Sequence, residues 1–167
     1  RAGVNKALVS RYFGDLEGLA KVYAQSSNFW PTVEEVLGES ESEALERSPG
    51  ERLHRVIDNY PEVLRARPET LEILAWEVIE RNSVTQELER VRSLFNQRIV
   101  GIVAHGLDRE VDLVGVSTVI SSTTHYLLLR ARIIRFFAGI DLHTEEGWRR
   151  FLEPLHRLAD VYLKETP

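Results

Sequence analysis

The stretch "AGVNKALVSRYFGDLEGL", Ala2 to Leu19, sets Gly3 before one short run of helical spacing and Gly14 before another. Asn5 suits the N-cap of a helix running to Phe13. Gly14 fits its terminator, and Asp15 can cap a second helix with Leu16, Leu19 and Tyr23 on one face. Two helices joined this tightly argue for a helical fold from the outset. The rest of the chain shows the same 3-4 spacing of apolar residues and almost no strand signal.

The predicted second helix runs toward Pro31, which ends or kinks it. The segment "GESESEALERSPG" reads as an acidic, Ser-rich connection. From Glu51, the residues Leu53, Val56, Ile57, Tyr60 and Leu64 continue a helical stripe toward Arg67, with a kink expected at Pro61. Pro68 suits the first turn of another helix, with Leu71, Leu74, Ala75 and Val78 inward. A Ser83-initiated helix carries Leu88, Val91, Phe95, Ile99 and Ile102 toward Gly106. The longest apolar helix is predicted over Asp112 to Phe137, stopping at Gly139. Thr144 caps a final helix holding Trp148, Phe151, Leu152, Leu155, Leu158 and Leu163. Gly147 stands where a capping box would need Glu or Gln. The expectation is an all-α chain of roughly seven helices.

The 167 residues can bury one substantial core or two small ones. With 43% hydrophobic and 28% charged residues the composition is that of a globular chain. No apolar run reaches the roughly 18 residues of a spanning helix, so no membrane partner is expected. Cysteine is absent, which excludes disulfides and thiolate chemistry. Together with the lack of an apolar leader, this fits a cytoplasmic location. Methionine is absent as well, position 1 included, as expected of a fragment or of a processed chain. Net charge is −5, yet residues 1–24 carry Arg1, Lys6, Arg11 and Lys21 against only Asp15 and Glu17. A small basic end on an acidic body is compatible with local contact to phosphates.

That basic end has the parts of a DNA reader. Ala2-Gly3-Val4 supplies a tight turn, and Val4, Leu8, Val9 and Phe13 can pack inward. Lys6, Ala7, Ser10 and Arg11 fall on the outward face, where Lys and Arg can donate to guanine O6 and N7. Asn5, Tyr12 and the helix N-terminal amides suit phosphate oxygens.

These residues resemble the end of the helix-turn-helix in TetR-family (tetracycline-repressor-like) transcriptional regulators. The matching elements are Ala2-Gly3-Val4, the polar cap Asn5, the pair Tyr12-Phe13, the turn Gly14-Asp15, and Glu17-Gly18-Leu19. A second stretch, "YLLLRARIIRFFAGIDLHTEEGWRRFLEPL" from Tyr126 to Leu155, is similar to the last two helices of that family's effector domain. Two positions depart from the pattern. Ser10 stands where the family usually has an aromatic residue, and Leu16 where it usually has a phosphate-reaching Lys.

The resemblance implies a chain in two parts. Residues 1–16 would be the C-terminal part of a helix-turn-helix domain whose earlier helices precede Arg1. Residues 17–167 would be a helical-bundle domain for ligand binding and dimerisation. It implies a homodimeric regulator, a repressor, held on palindromic double-stranded operator DNA until a small-molecule effector releases it. The last two helices would pair with their copies, and Leu128, Ile133, Phe137, Trp148, Phe151, Leu155 and Leu158 are the candidate interface residues. The alternative is that these side chains belong to the core of one chain.

The run "SSTTHY" within the long apolar helix raises the question of a cavity. Ser117, Ser121, Thr124 and Leu128 share one face, with His125 beside them. Hydroxyls in helices commonly bond the carbonyl four residues back. They can equally orient a ligand in a mostly apolar cavity. Candidate lining residues are Tyr60, Trp76, Phe95, Ser121, Thr124 and His125, joined by Asn28, Phe29 and Trp30. No catalytic motif, phosphate loop or metal-ligand spacing is present, so neither enzyme activity nor a cofactor is expected. An all-α ligand-binding or scaffold module without DNA contact is the alternative to the regulator.

Overall fold

The computed structural model describes residues 6–24, 29–108 and 111–165. The chain is all-α, with nine helices and one two-stranded ribbon among the described residues. In order these are α1 (Lys6–Phe13), α2 (Leu16–Ala24), α3 (Val33–Leu37), α4 (Glu41–Leu45), α5 (Pro49–Arg65), α6 (Pro68–Glu77), α7 (Ser83–Ala104) and α8 (Leu113–Ala131). The ribbon β1 (Phe136–Phe137) and β2 (Ile140–Asp141) comes next, and the helix α9 (Glu145–Glu165) is last.

Helix α5 is central. It packs against α3, α6, α7, α8 and α9, while α2 lies along α7 and α9 also covers the ribbon. The stripe Leu53, Val56, Ile57, Tyr60 and Leu64 is buried, as the 3-4 spacing requires. It meets Leu88, Ile99, Ile102 and Val103 of α7 and Ile120, Leu127 and Leu128 of α8 in one core. Pro61 sits buried inside α5.

One charged side chain belongs to this core. Arg52 of α5 is only 2% exposed. Its guanidinium donates to the carbonyls of Ile102 and His105, the latter at 2.7 Å, and to that of Arg47 at 2.9 Å. The last carbonyls of a helix lack intrahelical donors. A side chain from α5 thus supplies them to the end of α7.

Between Gly38 and Gly50 the structure departs from the expected connection. Ser40 opens α4 with a capping box: its Oγ accepts from the Glu43 N–H at 3.3 Å, and the Glu43 carboxylate accepts from the Ser40 N–H at 2.9 Å. Thr32 with Glu35 and Ser48 with Glu51 do the same for α3 and α5. The acidic, Ser-rich composition is a series of helix starts.

The longest apolar helix ends at Ala131 rather than Phe137. The His143 imidazole bonds the Ala131 carbonyl at 2.8 Å, and the chain turns into the ribbon, with Phe136 opposite Asp141 and Phe137 opposite Ile140. Ala138 and Gly139 both have positive φ, 48° and 80°, as a two-residue hairpin turn of the primed type needs. Gly139 is therefore the second residue of a hairpin turn and not a helix stop. Val78, expected inward, is 77% exposed because α6 has already ended at Glu77.

Thr144 caps α9, its Oγ1 accepting from the Gly147 N–H at 3.1 Å. A Cβ on residue 147 would lie 1.7 Å from the Asp141 carbonyl oxygen. The ribbon passes so close to α9 that a capping-box Glu has no room. Two reciprocal pairs, His54–Asp160 at 2.9 Å and His156–Asp58 at 2.8 Å, hold α9 to α5. Among the described residues no helix is long and apolar enough to cross a membrane.

Candidate functional site

A cavity of about 230 Å³ lies between α5, α7 and α8. Each helix contributes its buried stripe. Leu53, Val56 and Tyr60 come from α5, Phe95, Ile99 and Val103 from α7, and Leu113 and Ile120 from α8. Trp30, in the segment before α3, completes the wall. Its ring stands edge-on to those of Tyr60, Phe95 and His125, at centroid distances of 6.3, 6.2 and 6.0 Å. These spacings lie within the range of favourable aromatic pairs.

Trp30 is held from behind. Phe29 is fully buried, and its carbonyl accepts from the Thr70 hydroxyl of α6 at 2.5 Å. The Phe29 ring touches Trp30 on one side at 5.8 Å and Tyr23 of α2 on the other at 5.6 Å. A packed aromatic row therefore runs from α2 to the cavity wall.

The cavity surface is mostly apolar, and its polar groups include the Glu89 carboxylate, paired with Arg81 at 2.7 Å, and the side chains of Ser93 and Asn96. The Tyr60 hydroxyl and His125 Nε2 share a hydrogen bond of 2.7 Å. Burial, and then the nearby Arg92 cation, push the His125 pKa down to about 4. Burial likewise raises the pKa of Tyr60. The dyad is therefore neutral near pH 7. Arg92 lies 5.5 Å from the Trp30 ring centroid and pairs with Glu77 at 2.6 and 2.8 Å. Burial raises the Glu77 carboxyl, with Arg92 acting against it. The Ser117 hydroxyl donates to Asn96 Oδ1. Trp30 Nε1 is buried and has no hydrogen-bond partner among the described residues.

Of the residues proposed from sequence to line a cavity, Trp30, Tyr60, Phe95, Ser121 and His125 do so. Two do not. Thr124 is 1% exposed and sealed into the core, because the next position on α8, His125, is the one turned to the cavity. Trp76 sits on α6 away from it, its indole N–H donating to Glu80. The hydroxyls of Thr118, Ser122 and Thr123 bond carbonyls four residues back at 2.7–2.8 Å, the ordinary role of such groups. Arg92 and Asn96 were missed. They stand at core spacing between Leu88 and Ile99 on α7, and polar residues within an apolar stripe were the available signal.

The candidate DNA-contacting residues fall on and before α1. Asn5 and the Ala2-Gly3-Val4 turn lie outside the described residues, as do the side chains of Lys6 and Ala7. Ser10, Arg11 and Tyr12 are exposed, Tyr12 at 73%. The α1–α2 junction is tight: Asp15 Oδ1 accepts from the Gly18 N–H at 2.7 Å, and a Cβ on Gly18 would lie 1.9 Å from the Phe13 carbonyl oxygen.

The candidate interface residues divide. Leu128, Trp148 and Leu155 belong to the chain's own core, at 2%, 4% and 8% exposure, so they are not available to a partner. Trp148 is fixed there by its indole bond to the Leu142 carbonyl at 2.8 Å. Phe137 and Phe151 are half-buried against that core. Ile133 and Leu158 are exposed, at 78% and 62%. Among the described residues no group of three or more His, Asp and Glu side chains is placed to hold a metal ion. Comparison with family models, with curated proteins and with solved structures finds no match to the chain.

Proposed function

We propose that the chain is the sensor part, with the end of the DNA reader, of a TetR-like transcriptional regulator. It acts as a homodimeric repressor on palindromic double-stranded DNA and is released by a small molecule. The observation that carries this reading is the packed row Tyr23–Phe29–Trp30. It joins the helix that holds α1 to the wall of a mostly apolar cavity that also carries polar side chains, a form that suits a small-molecule site. A ligand that shifts Trp30 changes what α2 packs against, and so the pose of α1. It controls DNA binding only by preferring one pose over the other.

Two further features support the reading. Ser10, Arg11 and Tyr12 face outward from a short helix locked to its successor. Large apolar side chains stay exposed along α8, just past its end and along α9, including Val119, Tyr126, Ile133, Leu158 and Val161, as a homodimer interface would require.

The test is selection of genomic DNA fragments by the full-length protein at low salt, followed by footprinting. Enrichment of an inverted repeat supports the regulator, and failure to enrich any repeat rejects it. The cavity wall comes from residues 30–125 alone, which favours a second reading, a ligand-binding module without DNA contact. The same selection separates the two.

A further inference from the structure

The cavity changes character along α7. Toward the C-terminal end of that helix its wall is Ile99 and Val103, faced by Leu53 and Val56 of α5 and by Leu113 and Ile120 of α8. All six are buried, at 8% exposure or less. Toward the N-terminal end the same helix presents Glu89, Arg92, Ser93 and Asn96, faced by Ser121 and His125 of α8. The Tyr60–His125 and Ser117–Asn96 bonds set the register of the three helices, and the Arg52–Ile102 bond brings Leu53 to the far end of α7. Glu89 and Ser93 are exposed, so the cavity reaches the surface at its polar end. Its deep end is buried and apolar.

The charges at this mouth are already matched. Glu89 pairs with Arg81 at 2.7 Å and Arg92 with Glu77 at 2.6 Å, and His125 is neutral near pH 7. A charged head would be desolvated there without an unpaired counter-ion among the described lining residues. Hydrogen-bonding groups of both kinds remain. Asn96 Oδ1 accepts from Ser117, which leaves the two N–H donors of its amide. Ser121 donates to the Thr118 carbonyl at 3.3 Å, which leaves its oxygen lone pairs to accept. The exposed Ser93 hydroxyl can do either. An uncharged group that both donates and accepts fits this mouth.

Size fixes the rest. About 230 Å³ holds about eight non-hydrogen atoms at the ~30 Å³ that a water takes in the liquid. Asn96 and Val103 are seven residues apart, about 10 Å along the helix, the length of an extended chain of that many atoms.

We propose that the cavity takes, tail first, an unbranched aliphatic molecule of about eight non-hydrogen atoms, its uncharged donor-and-acceptor head, such as a primary amide, at Asn96. This rests on reading the cavity as the effector site.

The test is calorimetric titration at pH 7.5 with probes that vary one property at a time. Hexanamide, hexanoate and heptylammonium match in size and differ in charge. Butanamide, hexanamide and decanamide share a head and differ in length. Each CH2 added from butanamide to hexanamide is expected to tighten binding about fourfold, and decanamide should bind no tighter than hexanamide. Both ions should bind about tenfold weaker than hexanamide or worse. The side-chain amide signal of Asn96, assigned by ¹⁵N NMR through Asn96→Leu, should move with hexanamide. Asn96→Leu should weaken butanamide and hexanamide by one common factor of about ten. Val103→Phe shortens the deep end and should remove hexanamide's advantage over butanamide. The series on the native chain carries the test whether or not that variant folds.

Equal or tighter binding of either ion, affinity that ignores chain length or keeps rising through decanamide, no binding of hexanamide, or an Asn96 signal that stays in place would overturn the proposal. The titration needs no DNA. Hexanamide bound with these preferences but without effect on an operator would reject the regulator and leave the ligand class standing. An operator bound while hexanamide is refused would do the reverse.

Discussion

The Tyr60 hydroxyl of α5 and the His125 ring of α8 meet at 2.7 Å across 65 residues of sequence. Each lines the cavity, and each stands edge-on to Trp30. The pair therefore ties two helices together at the cavity wall.

That geometry has a pH signature. His125 titrates near 4 in the folded chain, below the ordinary 6.5, because burial and Arg92 oppose its charge. Between these values the unfolded state binds the extra proton, so stability rises with pH. The contribution is fully present above about pH 6.5 and is lost as pH falls through 4, on the order of 3 kcal/mol. Urea unfolding at pH 7 and 4.5 should show a smaller pH difference in His125→Gln than in the native chain. Equal differences would contradict the assignment.

Arg52 makes the strongest stability prediction. Its replacement by Met removes the donors that satisfy the α7 C-terminus and leaves buried carbonyls unpaired. Each such group costs about 1–3 kcal/mol, so a loss of about 3 kcal/mol is expected in denaturant titration. A loss under about 1 kcal/mol would show that water replaces the guanidinium.

These two cases show what the sequence could reveal. The stripe Leu53–Leu64 and the Thr144 cap were legible because periodicity and capping are local rules. Tyr60, Ser121 and His125 could be nominated as odd residues on core faces. Their meeting could not be read, because it depends on how α5 crosses α8. Arg52 looked like any surface Arg, since nothing local signals that α7 will end beside it. The Ala131 helix end was obscured because Ile133, Ile134, Phe136 and Phe137 suit a helix as well as a ribbon in apolar spacing. The positive φ of Ala138 carries no mark in its residue type.

Thr70→Val tests whether the anchor behind Trp30 matters to the site. The substitution removes the bond to the Phe29 carbonyl and keeps the side chain's volume. Stability should fall by about 1–2 kcal/mol. Affinity for a cavity ligand found by thermal shift should fall several-fold, while a Trp76→Phe control leaves it in place. Unchanged affinity would show that Trp30 is held by its rings alone.

The α1–α2 junction gives a prediction that separates DNA binding from stability. Gly18→Ala places a Cβ against the Phe13 carbonyl, so α1 must shift while the α5–α9 core is untouched. Operator affinity should drop about tenfold or more, with a stability change of about 1 kcal/mol. Arg11→Ala should cost about 1–3 kcal/mol at the operator if Arg11 reads a base edge. A salt-controlled titration checks both.

If the chain is the proposed regulator, its cavity and its DNA-contacting end share one free energy. The most direct measurement takes a small molecule found by thermal shift and shown by the Trp30 indole signal to occupy the cavity. Operator affinity of the full-length protein is then measured with and without it, and ligand affinity with and without operator. Each is expected to weaken the other by one common factor, about 5–150-fold. An operator held with unchanged affinity while the cavity is full would contradict it.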